Sequence, residues 1–192
     1  GSGGNGTIKK MIADDYAGAA DRLSGFDGAV PAIQWADLED YPDYASQVPT
    51  FCEWSEPDTR IPAADGPIEY QGEAATREEL DRFEDVLEET DGSFEETFIT
   101  AASPGTVTSY IGNEYYDTHE EYLYAVSDAI QTEYELIAES GATLQIDAPD
   151  LLGARHLKFK DASEEEFVEV ARSHIDALNE ALENVPAEQV RM

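Results

Sequence analysis

The sequence predicts an α/β fold in which parallel strands alternate with helices, and two patterns support this prediction. Short strand-like segments at residues 67–71, 97–101 and 143–147 are each followed by a stretch with helical periodicity. Each helical stretch opens with a hydroxyl residue and carries a glutamate three positions later, which is the pattern of a capping box. Strands that alternate with helices are typical of a parallel sheet with right-handed crossovers.

The first third of the chain predicts less regular structure. Residues 1–13 contain a glycine-rich start that we expect to be flexible, and helical spacing within residues 8–25 predicts a short helix. Residues 26–65 interleave prolines with aromatic residues, which predicts an irregular excursion that packs on the rest of the chain. We therefore expect one domain over residues 14–192.

The helices of the predicted repeat have clear starting points. Their capping boxes are Thr76–Glu79, Thr118–Glu121 and Ser163–Glu166. The first two helices extend to about Glu89 and Glu139, and the third carries apolar residues at helical spacing. Residues 189–192 have the pattern of the start of a further strand.

The number of repeats limits the architecture. The sequence shows three strand–helix units and the start of a fourth, whereas a closed (β/α)8 barrel takes about 250 residues. A small doubly wound sheet and a piece of a (β/α)8 barrel both fit this pattern. The strand that opens at residues 189–192 favours an incomplete barrel.

Charge and composition argue against several classes of function. The 192 residues include 43 acidic and 11 basic side chains, for a formal net charge of -32. This balance argues against nucleic acid as a partner and excludes an anionic membrane surface, because both need clustered Lys and Arg.

A single cysteine, Cys52, excludes a disulfide scaffold. No apolar run approaches the roughly 20 residues of a membrane span, and no signal segment is present, so we expect a cytoplasmic protein.

The distribution of the acidic residues predicts adaptation to salt. They are spread along the whole chain, and only four lysines accompany them. In a salt-rich cytoplasm, counterions screen the repulsion of such a surface over about 3 Å at 1 M. We therefore predict a halophilic protein, with an ordinary acidic protein as the alternative.

Ligands of either α/β architecture bind beyond the carboxyl ends of the strands, and three segments of this chain lie there. The candidate binding residues in these segments are Glu69, Ser103, Gly105, Thr106, Tyr110, Asn113, Tyr115, Tyr116, Gln145 and Asp147. The turn that contains Ser103 and Thr106 is interpreted either as a wall of the substrate pocket or as a structural turn.

Asp147 is the strongest of these candidates. An acid at the end of an apolar strand is costly unless it has a partner. We expect it to hold a substrate ammonium group or to accept a hydrogen bond from a neighbouring loop. Gln145 alternates to the same side of the strand, so both side chains are predicted to point into a barrel.

No residue pattern assigns a catalytic residue or a metal ligand. Cys52 has no nearby His or Cys in sequence, and no paired Cys or His motif with metal-ligand spacing occurs. His174 lies on an apolar helix stripe and is interpreted as a partly buried residue whose polar atoms have partners. His119 is interpreted as solvated, and His156 is placed where it could approach a site.

Five segments, taken in order, resemble the cobalamin-independent methionine synthases. They are Asp21–Gly28, Gly66–Gly72, Ala101–Thr106, Asn113–Tyr116 and Leu144–Leu151. The resemblance covers roughly residues 14–192 and points to the single-barrel methionine synthase II branch, which is related to epoxyalkane:coenzyme M transferase.

The resemblance implies a (β/α)8 TIM barrel and zinc-dependent transfer of a methyl group from methyltetrahydrofolate to the thiol of homocysteine. It implies that Asp147 contacts the amino group of homocysteine. Ala148 stands where the family carries Glu or Asp, so the family's folate contact at this position has no counterpart in this chain. Alkyl transfer to another thiol, such as coenzyme M, is the alternative within the superfamily.

The resemblance also implies that this chain covers about half of a barrel. In the family, the first zinc ligands are a His-x-Cys pair on the strand that begins like residues 189–192, so we expect no zinc ligands in this chain and no activity of the fragment alone. A non-catalytic binding or assembly module is the third alternative, because exposed sheet edges favour self-association.

Overall fold

The computed structural model describes residues 22–31, 60–90 and 94–192, together with residues 36, 40, 41 and 43. The predicted flexible start, most of the predicted helix over residues 8–25, and Cys52 lie outside the described residues. The elements are β1 (Gly28–Pro31), β2 (Arg60–Ala64), α1 (Glu73–Glu89), β3 (Phe98–Ala102), α2 (Pro104–Tyr110), β4 (Gly112–Asn113), α3 (His119–Glu139), β5 (Thr143–Asp147), α4 (Asp150–Gly153), α5 (Glu164–Ala181) and β6 (Val190–Arg191).

A parallel sheet in the order β3–β5–β6 forms the centre of the fold. The register pairs Phe98 with Thr143 and Ala102 with Asp147, so β3 and β5 end at the same edge. The prediction of an α/β fold with parallel strands and helices is confirmed, and the arrangement is consistent with a partial α/β barrel. The predicted strand at residues 189–192 is present as β6, parallel to β5.

A second sheet has the order β1–β2–β4 and contains an antiparallel pair. The strands β1 and β2 lie within the stretch that the sequence predicts to be irregular. They were not predicted because each is short and contains a proline, Pro31 or Pro62, which donates no backbone hydrogen bond. The parallel contact of β2 with β4 joins Ala63 to Gly112.

The predicted strand at residues 67–71 is wrong. The segment belongs to neither sheet, and Tyr70 forms only an isolated antiparallel bridge with Leu23. Backbone hydrogen bonds from Ser24 N to Glu69 O and from Gln71 N to Arg22 O hold the segment beside residues 22–25.

The capping box predicted at Thr76 is also wrong, whereas the other two are confirmed. Helix α1 begins at Glu73 after Gly72, without a side-chain cap. Thr76 lies within the first turn of the helix and is buried. Its hydroxyl lies 2.6 Å from the hydroxyl of Tyr70, so it is not available to cap the helix N-terminus. Thr118 and Ser163 each accept a hydrogen bond from the backbone N–H three residues later and form complete capping boxes.

The hydrophobic core lies between one face of the parallel sheet and the helices. Leu144 and Ile146 of β5 are buried against α3, which contributes Tyr122, Val126 and Ile137. Burial of each such side chain contributes about 1.5–3 kcal/mol. On the opposite face, Gln145 is half-buried and Asp147 is exposed. Strand alternation therefore directs the polar residues of β5 away from the helices.

Candidate functional site

The carboxyl ends of β3 and β5 bring three predicted site residues together. The backbone N–H of Ser103, directly after β3, donates to the carbonyl of Asp147 at 3.0 Å. The hydroxyl of Thr106 lies 3.3 Å from the same carbonyl oxygen. The exposed carboxylate of Asp147 is thus attached to a backbone that the neighbouring turn holds in place.

The turn after β3 owes its shape to its sequence. Ser103 is the N-cap of α2 and accepts a hydrogen bond from the backbone N–H of Thr106 at 3.0 Å, with Pro104 in the first helical position. A Cβ added at Gly105 would lie 2.1 Å from Asp150 Oδ2 and 2.4 Å from His174 Nδ1. Glycine is therefore required because two buried side chains approach the backbone.

Asp150 lies beneath this turn as a buried carboxylate with three donors. Its Oδ1 accepts from the hydroxyls of Ser103 at 2.6 Å and Thr106 at 2.8 Å, and its Oδ2 accepts from His174 Nδ1 at 2.8 Å. Burial by itself raises the pKa of a carboxyl group. Here the hydrogen bonds from His174, Ser103 and Thr106 outweigh burial and lower the pKa of Asp150.

The hydrogen bonds continue from Asp150 to Lys158. His174 Nε2 lies 2.9 Å from His119 Nε2, and His119 Nδ1 lies 3.3 Å from the Nζ of Lys158. The Nζ also donates to the backbone carbonyl of Thr108 at 3.0 Å. We call the four side chains Asp150, His174, His119 and Lys158 the buried relay.

The environment of the buried relay disfavours added positive charge. Burial, followed by the nearby Lys158 and His174, lowers the pKa of His119 to about 3. Burial lowers the pKa of Lys158 to about 8. The interpretation of His119 as solvated is therefore wrong, whereas the interpretation of His174 as buried is confirmed.

The sequence analysis did not single out Asp150 or Lys158. A signal for Lys158 was available, because it is one of only four lysines in an acidic chain. Asp150 shares its motif with Asp147, but nothing in the local pattern distinguishes a buried carboxylate from an exposed one.

The face of the parallel sheet opposite the core helices carries a second polar group. The Nε of Arg191 donates to Gln145 Oε1 at 3.0 Å, and its NH1 donates to Glu96 Oε2 at 3.2 Å. The guanidinium also lies over the ring of Phe98, 4.0 Å from its centroid. Gln145 therefore already has a partner on this face, and the sequence analysis did not foresee Arg191 there.

The segment after α2 contains β4, which is part of the second sheet. Asn113 of β4 accepts from the backbone N–H groups of Tyr115 at 3.1 Å and Tyr116 at 2.9 Å, so its side chain shapes the loop. Tyr116 stacks on Tyr122, and its hydroxyl accepts from Ile68 N at 3.0 Å. Tyr115 is 49% exposed, so about half of its side chain is accessible to solvent.

The two remaining predicted site residues lie at other places. Tyr110 is the last residue of α2 and is half-buried. Glu69 is exposed, and its backbone carbonyl and N–H are bonded to Ser24. The structure therefore gathers Ser103, Gly105, Thr106 and Asp147 most closely.

The described residues do not fit the zinc site that the resemblance implies. Within residues 22–31, 60–90 and 94–192, no group of three or more His, Cys, Asp or Glu side chains is placed to hold a metal ion. His119 and His174 offer two facing nitrogens, but Lys158 and Asp150 occupy their other sides.

Within the part of the chain that the structure describes, no helix has both the length and the apolar character needed to cross a bilayer.

The fold and this edge define an α/β protein whose parallel strands end in a polar turn and an exposed carboxylate, consistent with a partial α/β barrel. A solved structure with a similar fold is that of a B12-independent methionine synthase from Shewanella sp. W3-18-1 in complex with selenomethionine. The TM-score is 0.51 at 16% sequence identity, over 86% of this chain and 38% of that chain. At this identity the likeness shows the fold alone.

This chain therefore spans well under half the length of the solved structure that it matches. No protein-family model matches the sequence. No curated protein matches it either.

Proposed function

We propose that this chain is part of a methyltransferase-like protein in which the carboxylate of Asp147 binds the ammonium group of an amino-acid thiol. The transfer we propose is that of a methyl group from methyltetrahydrofolate to the thiol of homocysteine. One observation carries the proposal: Asp147 presents an exposed carboxylate at the carboxyl end of β5, on a backbone held by Ser103. The resemblance in motifs and the similar fold of a methionine synthase support the choice of reaction.

Simple electrostatics supports Asp147 as the amine-binding group. A carboxylate that meets an ammonium group forms a charge-assisted hydrogen bond, which is stronger than a neutral one. Asp147 lies on the face of the sheet opposite the core helices, where a small molecule has access. The zinc that the family uses has no ligands among the described residues, so the proposal gives this chain the amine-binding role and no metal-dependent step.

Equilibrium binding of homocysteine and methionine, measured by calorimetry, tests this proposal. The Asp147→Asn variant removes the charge with little change in shape, and we expect about a tenfold loss of affinity for both amino acids. The matched control is Asp128→Asn, because Asp128 is exposed on α3. Equal affinity of the Asp147→Asn variant and the parent chain would contradict the proposal.

The same variant separates homocysteine from the alternative thiol. Coenzyme M carries no ammonium group, so its binding should not depend on Asp147. A chain that binds coenzyme M and ignores both amino acids would favour alkyl transfer to that thiol.

An assembly module is a second candidate, and the order of the parallel sheet favours it. Among the described strands, β3 and β6 are the edges of this sheet. Phe98 of the edge strand β3 is 44% exposed, and the guanidinium of Arg191 lies over its ring. Exposed edges pair with other chains, so a stable dimer in sedimentation at high salt is the expected result. A monomer at all concentrations would contradict this candidate.

A further inference from the structure

Asp150 and Asp147 are both hydrogen-bonded to the same turn. The N–H of Ser103 holds the carbonyl of Asp147, whereas the hydroxyl of Ser103 donates to the carboxylate of Asp150. Thr106 also faces both, because its hydroxyl lies 2.8 Å from Asp150 Oδ1 and 3.3 Å from the Asp147 carbonyl oxygen. The backbone carbonyl of Asp147 and the carboxylate of Asp150 are therefore linked through the same two residues.

We propose that Asp150 is a positioning residue that orients Asp147 for the substrate amine, acting through the Ser103–Thr106 turn. This inference rests on the proposed function, since Asp147 is the group that meets the amine. Asp150 itself is 1% exposed and therefore does not touch the substrate.

When Lys158 is charged, the buried relay has one direction of donation that satisfies all its members. A charged Lys158 donates to Nδ1 of His119, which leaves the proton of that ring on Nε2. His119 Nε2–H then donates to Nε2 of His174, whose Nδ1–H donates to the carboxylate. The direction of donation thus runs from Lys158 to Asp150.

An amide in place of the carboxylate no longer fixes this direction. Hydroxyls both donate and accept, so the Asp150→Asn side chain can turn either its oxygen or its NH2 group towards His174 Nδ1. Its hydrogen bonds with Ser103 and Thr106 also lose the assistance of the negative charge. A carboxylate only accepts, so Asp150 sets the tautomers of both histidines beside a charged Lys158.

The first test asks whether the hydroxyl of Thr106, rather than the shape of its side chain, holds the turn in place. Thr106→Val removes the hydroxyl, Thr106→Ser retains it, and Thr90→Val is the matched control at the exposed end of α1. Amide hydrogen exchange of Ser103 reports its bond to the Asp147 carbonyl. We expect exchange to be about tenfold faster in Thr106→Val and Asp150→Asn, and unchanged in Thr106→Ser and Thr90→Val. Unchanged Ser103 exchange in the first two variants would overturn the proposal.

The second test asks whether the orientation of Asp147 is needed to bind the ammonium group of the substrate. The probes are methionine and 4-(methylthio)butanoic acid, which is the same molecule without the ammonium group. We expect Thr106→Val to weaken methionine binding severalfold and to leave the deaminated analogue unaffected, whereas a general loss of structure weakens both equally. A parent chain with no preference for methionine counts against the proposed function, and the Ser103 exchange result still decides the role of Asp150.

The third test reads the tautomers by nitrogen and carbon NMR of the histidine rings. We expect the Nδ1–H form of His174 and the Nε2–H form of His119 in the parent chain. The opposite tautomers in the parent chain would overturn the assigned direction. Thermal unfolding of each variant verifies that the compared proteins are folded.

Discussion

The carboxylate of Asp150 and the imidazole of His174 form a hydrogen bond of 2.8 Å, and each side chain is only 1% exposed. This bond connects the segment after β5 with the middle of α5, because Asp150 begins α4 and His174 lies inside the longer helix. A buried pair of this kind is tolerated only when every polar atom has a partner.

Removal of His174 should be strongly destabilising. The His174→Ala variant leaves the buried carboxylate of Asp150 without one of its three donors and also creates a cavity. We expect a loss of about 3 kcal/mol in the free energy of unfolding, measured by urea denaturation. The control is His156→Ala, because His156 is exposed. A loss similar to that of the control would show that the pair contributes little.

Acid should destabilise the fold through His119. Its pKa is lowered from 6.5 to about 3 in the folded chain, mainly by burial. The unfolded chain therefore binds more protons between these values, so the contribution of neutral His119 is complete above pH 6.5 and is lost as the pH falls towards 3. We expect the difference in unfolding free energy between the parent chain and His119→Gln to shrink over this window. A difference that is independent of pH would contradict the lowered pKa.

Gly105 should not tolerate a side chain. In Gly105→Ala, the added methyl group would meet Asp150 Oδ2 and His174 Nδ1 far inside contact distance. Such overpacking costs about 1–3 kcal/mol, and we expect the upper end because both neighbours are buried and hydrogen-bonded. Gly66→Ala serves as the control, since a Cβ there meets only Gly25 Cα at 3.8 Å. Equal melting temperatures of the two variants would show that the turn can relax.

Salt should stabilise this chain if it is halophilic. With a net charge of -32, self-repulsion is strong at low ionic strength and is screened as salt is added. We expect the melting temperature to rise steadily as the KCl concentration increases from low values to the molar range. Structure that is unaffected by the removal of salt would instead identify an ordinary acidic protein.

Local sequence patterns predicted the parts of the fold that depend on near neighbours. The strands β3 and β5 and the capped starts of α3 and α5 follow from residues within a few positions of one another. The start of α1 could not be predicted in this way. The hydroxyl of Thr76 bonds to Tyr70, and this contact withdraws it from the capping role that its spacing indicates.

The sequence by itself determined the alternation of strands and helices, the polar ends of β3 and β5, and the choice of Asp147 as the amine-binding candidate. Only the tertiary structure decided that Ser103 and Thr106 face Asp150, and that His119 is paired with His174, because these contacts join residues 47, 44 and 55 positions apart. Periodicity reports which side of an element is apolar. The partner that a polar side chain meets depends on how separate elements pack, and no local pattern contains that information.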